Sequence, residues 1–336
     1  MRIGVFTVLF QDLPFEQALD RAAASGVAAV EIGTGGYPGN HHCPLETLLE
    51  SSERRREYLD ALARRGLLLS ALSCQYEPLH PDQTVAQAAD RLLRQTVQLA
   101  SLLGVPVVNV VSGVPAGAPG DSSPNWITCP WPPHFLNMLD YQWNRVAIPY
   151  WREATRFAAE HGVKIACEMH PGMLLYNVET LLRMREAVGP AFGCNLDPSH
   201  LFWNGVGVVA AIRRLGDSIF HVHAKDCYVD PLNVAINGCN DHKPYDQVSR
   251  RAWTFRSLGY GHDIKTWKDI VSALRVAGYD YVISIEQEDA LMSVSEGLAK
   301  SIALLREVLI SERPGPMFWT AGEHDPAGGR HGSPAS

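Results

Sequence analysis

Eight apolar, β-branched segments recur along this chain, and a stretch with helical periodicity follows each of them. The segments predict strands at residues 2–9, 28–32, 67–73, 105–112, 163–168, 192–197, 219–223 and 281–286. The intervening patterns predict helices at residues 14–25, 45–65, 84–103, 143–161, 177–188, 207–215, 266–277 and about 294–310. Regular alternation of strand and helix is typical of a parallel sheet whose strands are joined by crossover helices.

Eight such units predict a single-domain α/β fold, the (β/α)8 TIM barrel, over residues 1–311. The alternative is a doubly wound open sheet, which usually has a glycine-rich phosphate-binding loop after its first strand. Here the first strand runs into Thr7-Val-Leu-Phe-Gln-Asp-Leu-Pro, and such a loop is missing from this position. We therefore expect the barrel. Residues 312–336 are rich in Pro, Gly and Ser, which predicts a disordered tail.

Two connections are too long to be simple turns. They are residues 113–142, after the fourth predicted strand, and residues 225–265, after the seventh. Long loops at the carboxyl-end rim of a barrel usually shape or cover the pocket. A surface excursion or an oligomer contact is the alternative explanation for the first loop.

The bulk properties of the chain disfavour several classes of partner. Its formal net charge of −7 and pI of about 6.0 do not favour binding to nucleic acid or to an anionic membrane surface. Apolar runs stay well short of the roughly 18 residues of a membrane span. The seven cysteines are scattered without a CxxC pair, which is typical of reduced thiols. We therefore expect a cytoplasmic protein with neither nucleic acid nor membrane as partner.

The last four predicted strands each finish with a side chain that can bind a metal ion. These side chains are Glu168, Asp197, His223 and Glu286. Because the carboxyl ends of parallel strands meet at one rim of a barrel, we expect the four to converge there. Three carboxylates and one imidazole suit Mn²⁺, or alternatively Mg²⁺ or Co²⁺. The competing explanation, that each acid caps the following helix, fits any one of them better than it fits all four.

Neighbouring residues add groups that can contact a substrate. His200 follows the aspartate of this set by three residues, and His170 follows its first glutamate by two. Lys225 comes shortly after the histidine of the set and is also a candidate for substrate binding. His221 faces the same way as that histidine but lies deeper, so a structural role is expected for it.

Three more residues are candidates for substrate binding. His42 follows the second predicted strand, where His41 is an equal alternative and a polar turn is the competing explanation. Arg256 is the best single candidate for binding an anion, although a phosphate-binding loop with clustered cations was not found. Trp126 would suit the face of a sugar or a flat aglycone.

The motifs that carry these residues are Cys167-Glu-Met-His-Pro, Asn195-Leu-Asp-Pro-Ser-His, His221-Val-His-Ala-Lys-Asp and Ser284-Ile-Glu-Gln-Glu-Asp. They resemble the sugar isomerase/epimerase superfamily of xylose-isomerase-like TIM barrels, and the resemblance covers roughly residues 1–311. The resemblance implies that Glu168, Asp197, His223 and Glu286 hold a Mn²⁺-like ion. It also implies that the two glutamates move protons on opposite faces of a sugar and that His200 contacts the substrate.

The chain departs from some branches of that superfamily. Ketose 3-epimerases carry an arginine six residues past the metal-binding histidine, and Val229 stands at this position here. The related endonucleases bind three zinc ions and need a basic face, which the net charge of −7 disfavours. The long loops look like the subfamily known as sugar phosphate isomerase/epimerase. They are also similar to the barrel subunit of bacterial C-glycoside deglycosidases, which eliminate an aglycone from a 3-keto sugar.

The expected function is that of a divalent-metal-dependent sugar isomerase or epimerase. Glu168 or Glu286 would remove a proton next to a carbonyl through a metal-stabilised enediolate, and the other group or His200 would return one. A β-eliminating lyase on a keto sugar, either a dehydratase or a deglycosidase subunit, shares that type of intermediate and is the alternative. A phosphodiester hydrolase and a protein that uses the ion only for stability are further alternatives. We expect a small sugar or sugar derivative as substrate, and a homo-oligomer or a second subunit stays open.

Overall fold

The computed structural model describes residues 1–312 together with residues 315, 317 and 319. The predicted tail at residues 312–336 lies almost wholly outside the described residues. Within the described part, eight strands form one sheet: β1 (Arg2–Phe6), β2 (Ala29–Gly33), β3 (Leu68–Ser73), β4 (Val107–Val111), β5 (Lys164–Glu168), β6 (Phe192–Leu196), β7 (Ile219–Ala224) and β10 (Val282–Ile285). Two more strands form a separate antiparallel pair, β8 (Asp226–Val229) and β9 (Trp253–Arg256).

The eight-stranded sheet is a closed parallel barrel in the order β1-β10-β7-β6-β5-β4-β3-β2. The helices outside the sheet are α1 (Phe15–Ser25), α2 (Leu45–Glu50), α3 (Ser52–Ala63), α4 (Gln83–Leu103), α5 (His134–Asp140), α6 (Ile148–Glu160), α7 (Val178–Val188), α8 (Pro198–Trp203), α9 (Val208–Leu215), α10 (Pro231–Asn237), α11 (Ile264–Val276) and α12 (Val294–Val308). α10 lies in the insertion between β8 and β9. The prediction of a single-domain TIM barrel is confirmed. Among the described residues, no helix combines the length and the apolar character needed to cross a membrane.

Two predicted elements differ in the structure for local reasons. The helix expected at residues 45–65 is divided into α2 and α3 at Ser51, whose backbone is extended (φ −114°, ψ 116°) and whose hydroxyl accepts a hydrogen bond from Arg54 N. A serine that caps a new helix in this way interrupts the preceding one. The first strand ends at Phe6, and the apolar residues after it form a 3₁₀ turn, Thr7–Phe10.

The long connection after β7 contains the one sheet that the sequence did not predict. β8 and β9 pair from Asp226 opposite Arg256 to Val229 opposite Trp253. Their own small core is separate from the barrel and consists of Trp203, Cys227, Ala252, Trp253 and Phe255. Residues 230–252 separate the two strands, and a pairing across so long an insertion leaves no hairpin signal in the sequence.

The barrel interior changes in polarity along its axis. Ala71, Val107, Ala166 and Phe220 form a small apolar cluster. Three of them lie two residues before a buried polar residue on the same strand face, namely Ser73, Asn109 and Glu168. The interior is therefore apolar at depth and polar toward the carboxyl ends of the strands. The larger core lies between the outer strand faces and the helices.

Candidate metal and substrate site

The four side chains predicted to bind a metal come together at the carboxyl-end rim. Glu168 is the last residue of β5 and His223 lies near the end of β7, while Asp197 and Glu286 directly follow β6 and β10. One possible ligand atom from each lies within 4.8 Å of those of the other three. Parallel pairing brings these strand ends side by side, because Asn195 is in register with Glu168 and Ser284 with His223.

The two oxygen atoms of Asp197 have different environments, so the cap and the metal-ligand explanations of its position do not exclude each other. Its Oδ1 accepts a hydrogen bond from Ser199 N (2.8 Å) and so caps α8. Its Oδ2 is buried, and among the described residues no group donates it a hydrogen bond of acceptable geometry, although His200 Nε2 lies 3.2 Å away. A buried carboxylate oxygen of this kind fits a cation ligand. The three carboxylates and one imidazole therefore fit a divalent ion.

The electrostatics of the site are those of crowded, buried carboxylates. Desolvation raises the pKa of Asp197 to about 7, although the charge of Lys225 opposes the rise. The pKa of Glu168 lies well below its usual range, because the hydrogen bonds from His200 and His223 outweigh the cost of desolvation. A divalent cation would offset the mutual repulsion of these carboxylates.

Glu168 is held in place from three sides. Gln75 Nε2 donates to its Oε2 at 3.1 Å, and Asn195 Nδ2 donates to the same oxygen at 3.0 Å. His200 Nε2 lies 3.1 Å from the other oxygen, Oε1. Since all of these groups are buried, the orientation of the Glu168 carboxylate is fixed before any substrate arrives.

His223 lies between two sets of acids. Its Nδ1 is 2.9 Å from Glu286 Oε2 and 3.2 Å from Glu168 Oε2. Its Nε2 is 3.0 Å from Glu31 Oε2, on the side away from the other candidate ligands. Burial would lower the pKa of His223, but the charges of Glu31 and Glu286 outweigh burial and raise it well above its usual value.

A cavity of about 690 Å³ opens above these side chains. Its lining residues are Tyr37, Gln75, Val111, Glu168, His170, Met173, His200, Lys225, Tyr245, Thr254, Phe255, Glu286, Glu288, Asp289 and Ala290. This volume lies within the range of small-molecule sites. The strand β9 and the insertion before it supply the wall that carries Tyr245, Thr254 and Phe255.

Three of the predicted substrate-contacting residues line the cavity. His170 and His200 lie ring to ring, with centroids 4.1 Å apart, and His170 Nδ1 donates to Pro171 O at 2.6 Å. Burial lowers the pKa of His170 to about 4. Lys225 Nζ lies 2.9 Å from Glu288 Oε2 and 3.4 Å from Glu286 Oε1.

The structure does not bring the other three into the cavity lining. Arg256 Nε donates to Asp289 Oδ1 at 3.1 Å, so it contacts a lining residue without lining the cavity itself. His42 is buried, and its Nε2 lies 3.0 Å from Leu13 O. Trp126 lies in a separate cleft, where its ring packs edge-on against Tyr176 at 5.7 Å.

Several residues around the site had no clear signal in the sequence. Glu31 lies within an apolar strand segment, and Gln75 and Tyr37 lie in loops that follow strands. Gly36 allows the loop after β2 to approach Gln75 closely, since its φ is +74° and a Cβ there would lie 2.4 Å from Gln75 O. Tyr37 N then donates to Gln75 O at 2.9 Å, which positions Tyr37 at the cavity.

The curated proteins that are similar to this chain in sequence include the following two. Uncharacterized protein YfiH of Bacillus subtilis (strain 168) is 42% identical over 312 residues, which cover 92% of this chain and 99% of that protein. An inosose dehydratase of Geobacillus thermodenitrificans (strain NG80-2) is 28% identical over 153 residues, which cover 45% of this chain and 49% of that protein.

Solved structures and a family model agree on the fold. A D-tagatose 3-epimerase-like protein superposes with a TM-score of 0.62 at 21% identity, covering 92% of this chain and 97% of that chain. The IOLI protein with a bound zinc atom superposes with a TM-score of 0.64 at 18% identity, covering 92% and 98%. A family model described as "Xylose isomerase-like TIM barrel" matches residues 19–308. The chain therefore belongs to the xylose isomerase-like TIM barrel family.

Proposed function

We propose that this protein is a divalent-metal-dependent sugar isomerase or epimerase that moves a proton at a carbon next to a carbonyl. The observation that carries the proposal is the pair of glutamates at the rim. Glu168 ends β5 and Glu286 directly follows β10, and these two strands are separated in the barrel by β6 and β7. Carboxylates from two sides of one cavity can reach opposite faces of a planar intermediate, which is what inversion at a carbon requires.

The two glutamates differ in how free they are to accept a proton. Glu168 accepts hydrogen bonds from Gln75 and Asn195 and lies beside His200. Glu286 lines the cavity, and its Oε2 has no hydrogen bond of acceptable geometry among the described residues. We therefore assign proton removal to Glu286, and proton return on the other face to Glu168 together with His200.

Glu168, Asp197, His223 and Glu286 would hold the ion, for which Mn²⁺ is the first candidate and Mg²⁺ and Co²⁺ are alternatives. When bound, the ion supplies a Lewis acid toward the substrate's oxygen atoms. The IOLI protein, a solved structure of similar fold, holds a zinc atom, which agrees with a metal ion in this chain. Lys225, which lies 3.4 Å from Glu286 Oε1, orients that carboxylate and adds a positive charge at the cavity wall.

A β-eliminating lyase on a keto sugar is the second candidate, and the environment of His170 favours it. Because His170 Nδ1 donates to Pro171 O, its Nε2 is an acceptor when the ring is neutral. The lowered pKa of about 4 keeps the ring neutral at neutral pH. An elimination needs a base that removes a proton from the substrate. His170 provides a neutral base at the cavity in addition to the two glutamates. The similarity to an inosose dehydratase agrees with this candidate.

Product analysis separates the two candidates. The purified protein, loaded with Mn²⁺, is incubated with free ketoses, aldoses, inososes and 3-keto glucosides, and the products are identified by mass spectrometry and NMR. Conversion to a sugar of unchanged mass supports the isomerase or epimerase. Loss of water or of an aglycone supports the lyase. Failure to convert any of these compounds while the ion is bound would contradict both candidates for this chain acting alone.

A further inference from the structure

We propose that Glu31 is a positioning residue that keeps Nε2 of His223 protonated and so leaves Nδ1 as the atom that faces the cation site. The inference rests on the metal site of the proposed function. Glu31 and His223 are both fully buried, and His223 Nε2 lies 3.0 Å from Glu31 Oε2 and 3.1 Å from Oε1. Because a carboxylate can only accept hydrogen bonds, Nε2 is the donor in this pair.

The other ring nitrogen of His223 faces the ligands. Nδ1 is 2.9 Å from Glu286 Oε2 and 3.2 Å from Glu168 Oε2, and both residues belong to the candidate metal cluster. A histidine binds a metal through the nitrogen that carries no proton, and its other nitrogen commonly donates to a carboxylate that fixes the ring. Glu31 stands in the position of that carboxylate.

Glu31 is itself immobilised by two donors. Ser73 Oγ donates to Glu31 Oε1 at 2.5 Å, and Asn109 Nδ2 donates to the same oxygen at 2.9 Å. All three side chains are fully buried in the barrel interior. Glu31 Oε1 is therefore occupied by two fixed donors, and Oε2 stays directed at His223.

An alternative use of the same residues is a second ion held by Glu31, His221 and His223, which also lie close enough to share one. Two observations disfavour it. Glu31 Oε1 already accepts hydrogen bonds from two neutral donors, and His221 Nδ1 lies 3.2 Å from the amide groups of both Asn109 and Asn195. The positioning role accounts for all of these contacts with a single ion per chain.

Glu31→Gln tests the assignment with almost no change in volume. Because Ser73 and Asn109 both donate toward the position of Oε1, the carbonyl oxygen of the new amide occupies that position. Its NH₂ group then faces His223 Nε2, which must accept, so the ring proton moves to Nδ1. We expect Mn²⁺ to bind about 10–100-fold more weakly by calorimetry, as is usual when such a partner is changed.

Ser70→Ala is the matched control. Ser70 is equally buried in the barrel and donates to Val30 O at 3.1 Å, and its hydroxyl lies 3.5 Å from His221 Nε2 rather than from His223. It removes a buried polar group without touching the proposed pair. We expect this variant to bind Mn²⁺ like the wild type.

Nitrogen-15 NMR of the zinc-loaded wild type shows which nitrogen of His223 carries the proton. A purely structural role of Glu31 would not affect this result, and the measurement does not require any variant to fold. The proposal predicts a proton on His223 Nε2, whereas a proton on Nδ1 would overturn it. Equal Mn²⁺ affinity of the wild type and Glu31→Gln, or two ions per wild-type chain, would also overturn it. Failure of the wild type to bind any divalent ion would overturn the proposed function as well, whereas ion binding without turnover would count against that function alone.

Discussion

Glu286 and Glu288 lie two residues apart and both line the cavity, yet their environments differ. The Glu286 side chain is 12% exposed and belongs to the metal cluster. The Glu288 side chain is 56% exposed, and its Oε2 lies 2.9 Å from Lys225 Nζ. This pair therefore offers a matched comparison of the carboxylate that we propose as the base with a more exposed carboxylate nearby.

Glu286→Gln should abolish most turnover with little effect on folding. Loss of a positioned general base usually lowers the rate by about 10²–10⁴-fold. Glu288→Gln should change the rate far less, because Glu288 touches neither the ligands nor the reacting carbon in our proposal. Steady-state kinetics at saturating Mn²⁺, with thermal melts of both variants, measure the difference. Equal losses in the two variants would argue against Glu286 as the base.

At the scale of single residues, the sequence was informative where a side chain ends a strand. Strand ends share a rim, so Glu168, Asp197, His223 and Glu286 could be predicted to meet, and the structure brings them together. Glu31 could not be predicted in this way, because it lies in the middle of β2 rather than at its end. Its contacts with Ser73 and Asn109 depend on the register of the strands in the closed barrel. His42 follows a strand but turns toward Leu13.

At the scale of elements, β8 and β9 form a unit that stands apart from the barrel. Trp253 stacks on Trp203 with ring centroids 4.4 Å apart and an angle of 6° between the planes. Its Nε1 also donates to Cys239 O at 3.0 Å. Phe255, on the same strand, lines the cavity. Stability of this unit is therefore linked to the shape of the pocket.

Trp253→Ala should loosen this unit while the barrel persists. Replacing a buried tryptophan by alanine typically lowers stability by about 3–5 kcal/mol. A small separate core is not stable enough to stay folded after a loss of this size. We expect faster hydrogen exchange across residues 225–256 and a higher KM, with the far-ultraviolet circular dichroism nearly unchanged. Trp131→Ala is the control, since that side chain is 71% exposed. Unfolding of the whole chain together with this unit would contradict the expectation.

Asp241 should make the insertion between β8 and β9 sensitive to acid. Its Oδ1 accepts from Lys243 Nζ at 2.8 Å and its Oδ2 from Ala252 N at 2.6 Å. Desolvation opposes these hydrogen bonds, but they lower the pKa of Asp241 to about 2. The folded value lies below the unfolded value of about 3.9, so the stabilisation is complete above that pH and is lost as the pH falls through about 2.

The corresponding variant is Asp241→Asn. We expect it to lower the free energy of unfolding by about 1–2 kcal/mol at neutral pH, because the ionised form is the one that these donors favour. The difference from the wild type should shrink as the pH falls to about 3. The difference in the free energy of unfolding is measured by urea unfolding and by hydrogen exchange of the Ala252 amide, at neutral pH and at about pH 3. A difference that stays constant with pH would show that the charge of Asp241 is not the cause.

At the scale of the whole molecule, the candidate ligands join one half of the barrel. Glu168 and His223 belong to β5 and β7, and Asp197 and Glu286 directly follow β6 and β10. These four strands are consecutive in the barrel order. The fold could be predicted from the alternation of strands and helices, since each pattern needs only local information. The β8–β9 pair and the cavity wall it forms could not, because they depend on pairing between distant segments.

Binding of an ion across half the barrel should stabilise the whole chain. A ligand that binds only the folded state adds roughly 2.7 kcal/mol when its free concentration is 100 times Kd. We therefore expect Mn²⁺ to raise the melting temperature and a chelator to reverse the rise. Asp197→Asn should remove most of the shift, because Asp197 Oδ2 is a candidate ligand atom. A shift of equal size in that variant would indicate binding elsewhere.

The most direct test of proton transfer at this site is the exchange of a substrate carbon-bound hydrogen with solvent. The Mn²⁺-loaded protein is incubated in D₂O with the sugar that it converts best, and deuterium uptake at each carbon is followed by NMR. We predict uptake at one carbon next to the carbonyl, and loss of that uptake in Glu286→Gln at saturating Mn²⁺. Conversion without any uptake from solvent, or uptake that Glu286→Gln leaves unchanged, would contradict proton transfer by Glu286.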